Sequence, residues 1–99
     1  MTNTNRPKAT PLAQIENDRV IVTEWRFSPG AETGWHKHAY DYIVVPGKDG
    51  QLLLDTKEGE QLADLKSGQS YFRQAGVEHN VINANDYEFS FVEIELKPA

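Results

Sequence analysis

The 99-residue chain has no cysteine, so disulfide frameworks, thiolate metal sites and cysteine nucleophiles are excluded. Basic residues are scarce against acidic ones, ten to fifteen, giving a net charge of −5. No basic stripe is available to meet phosphates, so neither nucleic acid nor an anionic membrane is expected as a partner. Long apolar runs are also missing: Leu52-Leu53-Leu54 is typical, whereas a membrane helix needs about 20 apolar residues. Met1 to Thr10 is polar and lacks an apolar stretch, so no secretory signal is expected there. A mass of 11.2 kDa leaves room for one domain. Such a chain buries only about 60–68% of its unfolded surface, and a second copy would help to cover the rest. The expectation is a small, acidic, soluble globule of the cytoplasm.

Turn-forming residues recur at short intervals: Asn17-Asp18, Ser28-Pro29-Gly30, Pro46 to Gly50, Glu58-Gly59, Ser67-Gly68, Gln74 to Gly76 and Asn83 to Asp86. The segments between them are rich in Val, Ile, Tyr, Phe and Trp, and most are too short for helices. Ile21, Thr23, Trp25 and Phe27 alternate with Val20, Val22, Glu24 and Arg26, the period of a strand. Strands are predicted at 12–16, 20–28, 35–45, 51–55, 60–65, 70–74, 79–83 and 87–96. No sustained 3.6-residue period appears. Many short strands with frequent turns read as an all-β sandwich or barrel over 11–99, preceded by a mobile arm over 1–10. The last strand changes phase near Phe91-Val92, which suggests a centre apolar on both faces, a bulge, or a subunit contact. Phe27, Phe72, Phe89, Phe91, Trp25 and Trp35 are expected in the core or at a dimer contact, and Glu88, Glu93 and Glu95 on a solvated face.

Three histidines, His36, His38 and His79, are the most informative residues. On one strand, His36 and His38 leave by the same face, as do Tyr40 and Tyr42. Two imidazoles at that spacing suit a shared ion, though a surface pair on an edge strand has the same spacing. His79 follows a glycine turn and opens another strand, which lets it supply a third nitrogen.

Gly30, five residues, His36, one residue, His38 and then Gly47 resembles the first motif of the cupin superfamily. Gly68, five residues, Gln74, Gly76, two residues, His79, three residues and Asn83 resembles the second. Thr23 to Tyr42 with Ala75 to Glu95 is more narrowly similar to a small single-domain cupin group often labelled with β-alanine degradation. The resemblance implies a jelly-roll β-barrel in which His36, His38 and His79 hold one divalent ion: iron, nickel, zinc, manganese or copper.

Two positions depart from the family pattern. Tyr42 stands where the first motif usually carries a glutamate ligand, and Gln74 stands where the second carries a proline. Asp41 is adjacent to the missing carboxylate, but strand alternation turns it away from His38. A three-histidine site with open positions is therefore expected, with a fourth ligand from Asp41 or Tyr42 as the alternative. Without a carboxylate the ion keeps its full positive charge, favours anionic ligands and leaves room for a chelating substrate. Thiol and diketone dioxygenases are similar in this respect. Tyr42 and Tyr40 are candidate hydrogen-bond donors to a bound compound, and Arg73, on a face with Tyr71, is a candidate clamp for a substrate carboxylate. The expected function is a metal-dependent, iron-type oxygenase acting on a small oxygenated or carboxylated compound. A non-catalytic ligand-binding module and a metal-assisted isomerase or lyase are the alternatives. A homodimer is expected to cover the sheet edges.

Overall fold

The computed structural model describes residues 5–98. Among these, nine strands follow one another: β1 (Thr10–Glu16), β2 (Val20–Phe27), β3 (His36–Lys37), β4 (Asp41–Pro46), β5 (Gly50–Thr56), β6 (Gly59–Leu65), β7 (Tyr71–Arg73), β8 (Glu78–Asn83) and β9 (Phe89–Leu96). They form two antiparallel sheets, ordered β1-β2-β9-β4-β7 and β3-β8-β5-β6. Phe27, Tyr42, Val44, Phe89 and Phe91 from the first sheet meet Leu52, Leu65 and Val81 from the second in one core. The architecture is the all-β barrel that the turn spacing predicts. No described helix is long and apolar enough to cross a membrane.

The segment 35–45, expected as one strand, is two strands in different sheets. The break has a physical cause. The His38 N–H donates to the Val77 carbonyl and the Gly76 N–H to the His38 carbonyl, both outside the β3 ladder. The Asp41 carboxylate then accepts the Ala75 N–H at 2.8 Å, securing the corner at which the chain changes sheets. Parity along 35–45 is lost there. Tyr40 consequently faces a surface cleft with Asp41, Ala75 and Leu96, away from the histidines.

Strand β9 shows no change of phase. It pairs without a register shift to β2 on one side and β4 on the other. Phe89, Phe91 and Glu93 all turn inward and are buried. Glu93 therefore does not lie on a solvated face: the interior row of the strand simply passes from aromatic to acidic residues.

Of the segment expected to be a mobile arm, Met1–Thr4 lie outside the described residues. Lys8 bridges to Glu32, Ala9 is buried, and Thr10 already pairs with Arg26. Gly47 owes its identity to a close approach and not to a positive φ. A Cβ there would sit 2.9 Å from the Ser90 Oγ and 3.2 Å from its carbonyl oxygen.

Asn83 ties the barrel end together. It is 2% exposed, and its amide donates to the carbonyls of Phe27, Ser28 and Tyr87 at 3.3, 3.2 and 2.9 Å. Its Oδ1 accepts from the Asn85 backbone and side chain at 2.9 and 2.8 Å. Each buried group left unpaired costs about 1–3 kcal/mol, so Asn83→Ala is expected to lose about 3 kcal/mol or more in urea unfolding. A loss near zero would show that these bonds do not hold the turn.

Candidate metal centre

The site is assembled by register. His36 and His79 are direct partners across the antiparallel β3–β8 pair, so both rings stand on one face of the short sheet. His38 lies just beyond β3, held by the two backbone bonds at the corner. Its Nε2 lies 3.1 Å from the Nε2 of His36 and 3.2 Å from that of His79. The sequence expectation that the three converge is met, although His38 reaches the site from the corner and not from a continuing strand.

The loop before β3 orients His36. The Gly34 N–H donates to the Asn80 Oδ1 at 2.9 Å, and the Asn80 amide donates to the Glu32 carboxylate at 2.8 Å. The Gly34 carbonyl, so fixed, lies 2.8 Å from the His36 Nδ1. A carbonyl only accepts, so Nδ1 carries the proton and Nε2 presents its lone pair to the other rings. Tyr42, 2% exposed, stacks on His38 with ring centroids 3.8 Å apart.

Burial, reinforced by the neighbouring imidazoles, holds His38 down at about 3. Burial, with the charges of His36 and Arg73, holds His79 down at about 4. Both are neutral at physiological pH. Glu93 behaves oppositely: burial pushes its carboxyl up to about 7, against a hydrogen bond from the Trp25 indole that lowers it. Its Oε2 lies 3.8 Å from the His38 Nε2. With one partner pushed down and the other up, this contact is not a full ion pair.

Nitrogens about 2.0–2.1 Å from one ion lie about 2.9–3.4 Å apart at octahedral or tetrahedral angles. The observed 3.1 and 3.2 Å fit that requirement. Without a cation, a neutral His38 with its proton on Nε2 can donate across one of these gaps; with a cation, all three Nε2 lone pairs are free to turn to it. The donor set suits a divalent ion of the iron-to-zinc series.

The histidines lie between two spaces. An inner cavity of about 30 Å³ is bounded by His38, Tyr42, Tyr71, Arg73, His79 and Glu93. An outer cleft of about 330 Å³ is lined by Trp25, Thr33, His36, His38, Glu93 and Glu95. Arg73 borders the inner space only, with its guanidinium 4.7 Å above the Tyr71 ring. Asp41 is committed to the Ala75 amide, away from the site. Of the aromatic residues expected in the core or at a dimer contact, Trp35 and Phe72 stand exposed, at 52% and 50%. Sequence reasoning missed Glu93 and the cleft role of Trp25. The signal available was the uninterrupted alternation from Phe89 through Phe91 to Glu93.

The titration shifts give a stability profile for metal-free protein. His38 and His79 refuse protons that the unfolded chain takes up below about pH 6.5, so their contribution is present above that pH and lost as pH falls toward 4 and 3. Glu93 retains a proton that the unfolded chain has lost, so its contribution is present below pH 4.5 and lost as pH rises through 7. Two histidines outweigh one carboxylate. Stability, read from urea midpoints after chelator treatment, should rise from pH 4 to about pH 7 and then level. Glu93→Gln should make the acid loss steeper; a flat profile in the parent would contradict the assigned burial.

Residues 23–95 match the Cupin_2 cupin-domain family. The β-alanine degradation protein BauB of Pseudomonas aeruginosa is 62% identical over 92 residues, covering 93% of this chain and 97% of that protein. The crystal structure of a cupin-domain protein from Bordetella pertussis Tohama I superposes with a TM-score of 0.95 at 59% identity, covering 97% of this chain and all of the other. An RmlC-like cupin with a double-stranded β-helix fold from Methanocaldococcus jannaschii superposes with a TM-score of 0.76 at 11% identity, covering 98% of this chain and 87% of that one, a likeness of fold alone. With both histidine motifs in place and the family match spanning most of its length, this chain belongs to the Cupin_2 family of cupin-domain proteins.

Proposed function

We propose that this cupin is a metal-dependent enzyme, an iron-type oxygenase acting on a small oxygenated or carboxylated compound. The observation that carries this reading is the convergence of three imidazole Nε2 atoms, with His38 and His79 held neutral by burial, between the inner cavity and the outer cleft. A divalent ion bound there supplies Lewis-acid and oxygen chemistry, with positions left open for a chelating substrate.

The residues of the chain divide the remaining work. The Gly34 carbonyl sets the His36 tautomer, and the Tyr42 ring keeps His38 turned toward its partners. A cavity of about 30 Å³ holds roughly one water and no substrate. The compound therefore enters by the outer cleft, along Trp25 and Thr33. Tyr42 and Arg73 border only the inner cavity, where a single water can pass a hydrogen bond from the Tyr42 hydroxyl on toward the site.

Oxygen uptake by ferrous-loaded protein tests this reading. The panel comprises β-keto acids, diketones, thiols and, following the name of the Pseudomonas relative, β-alanine. At least one compound should drive uptake. His79→Ala should lose both metal and uptake. Tyr42→Phe should retain metal while turnover falls about tenfold, the effect of one lost hydrogen bond to a charged group. Conversion of a compound without oxygen uptake would replace the oxygenase with an isomerase or lyase. Binding without conversion would make the protein a ligand-binding module.

The same proposal includes a homodimer. Among the described strands, β1, β7, β3 and β6 are sheet edges, and Ile15, Trp35, Leu62 and Phe72 are exposed. Light scattering at micromolar concentration should give twice the 11.2 kDa chain mass, and a monomer mass would refute the dimer.

A further inference from the structure

Glu93 occupies a position that the metal site does not account for. It lies on the interior row of β9, beyond Phe89 and Phe91, and is 8% exposed. Its Oε1 accepts the Trp25 indole N–H at 3.3 Å. Its Oε2, 3.8 Å from the His38 Nε2, is beyond hydrogen-bond distance, and among the described residues no donor reaches it. The carboxylate borders both the inner cavity and the outer cleft.

Glu93 is also set apart from the histidine ligands. The ligand atoms of His36, His38 and His79 lie within 4.8 Å of one another, whereas Glu93 shares such a grouping with His38 and Glu95. It thus stands beside the three nitrogens and not among them. A fixed carboxylate with a free oxygen at this place repels a bare anion and accepts from an O–H or N–H.

We infer that Glu93 is the hydrogen-bond acceptor for the compound that enters at the three histidines. It selects a chelator bearing an O–H or N–H beside its coordinating atom over a bare anion. This inference rests on the metal-site reading and deepens it by naming the substrate class. The Trp25 indole is the positioning group, because its N–H only donates and so keeps Oε1 occupied and Oε2 turned to the cleft.

Glu93→Gln offers a directed test. The indole still requires an acceptor, so the amide oxygen takes the place of Oε1 and the NH2 that of Oε2. An acceptor becomes a donor at the same point. Protein loaded with cobalt(II) is titrated well above pH 7, where the Glu93 carboxyl is ionised, with azide, a bare anion, and with acetohydroxamic acid, a chelator with an N–H beside its donor oxygen. Cobalt affinity in Glu93→Gln should stay within about threefold of the parent, while azide binds about tenfold more tightly and the hydroxamate about tenfold more weakly. Trp25→Phe, which keeps the charge but releases the carboxylate, should weaken the hydroxamate severalfold and leave azide unchanged. Unchanged affinities for both probes in both variants would overturn the inference. A fall in cobalt affinity of about a hundredfold in Glu93→Gln would overturn it differently, by making Glu93 a direct ligand. Failure of the parent to bind cobalt would remove the metal-site reading itself, and this inference with it.

Discussion

The direct pairing of His36 with His79 across β3 and β8 is the constraint on which the site depends. A two-residue strand has few bonds of its own, so its register is set by what flanks it. On one side the Thr33–Asn80–Glu32 network fixes the approach through Gly34. On the other, the His38 and Gly76 backbone bonds fix the exit. A slip of one residue would turn His36 away from His79 and put Lys37 in its place. The barrel thus spends two loops on holding one short strand in register.

That register creates an electrostatic demand. The His38 Nε2 is brought to 3.1 and 3.2 Å from those of His36 and His79, and burial opposes protonation of His38 and His79. The surrounding fold holds these neutral rings together in a low-dielectric space, and their Nε2 atoms form a donor set that suits a cation. The Tyr42 ring stacked on His38 belongs to the same arrangement. At position 42 this chain places a flat wall, and the Glu93 carboxylate of β9 stands beside the three nitrogens.

The sequence was most readable where geometry is local. Turn residues and period-two alternation located β2, β5, β6, β8 and β9 to within a residue or two, and the glycine-flanked histidines pointed to one site. The limits are equally physical. Residues 35–45 carry continuous strand-forming side chains, yet the bonds that split them come from Val77, Ala75 and Gly76, about forty positions away. Parity carried across that hidden corner puts Tyr40 with the histidines, whereas it faces another cleft. Acids seldom occupy a barrel interior, which points Glu93 to solvent. Its row-mates Phe89 and Phe91 gave the opposite answer, and the tertiary structure agrees with them.

The family match accounts for the fold and for the positions of the histidines, but a fold hosts many chemistries, and the reaction depends on the particular groups around the three nitrogens. Everything proposed here follows from those nitrogens acting together on one ion. X-ray absorption of the metal-loaded protein, with elemental analysis of the same sample, examines that claim most directly. The account predicts one ion per chain with three imidazole nitrogens at about 2.0–2.1 Å, as for zinc. An ion far below one per chain, or a shell of oxygen atoms with fewer than two imidazoles, would contradict it.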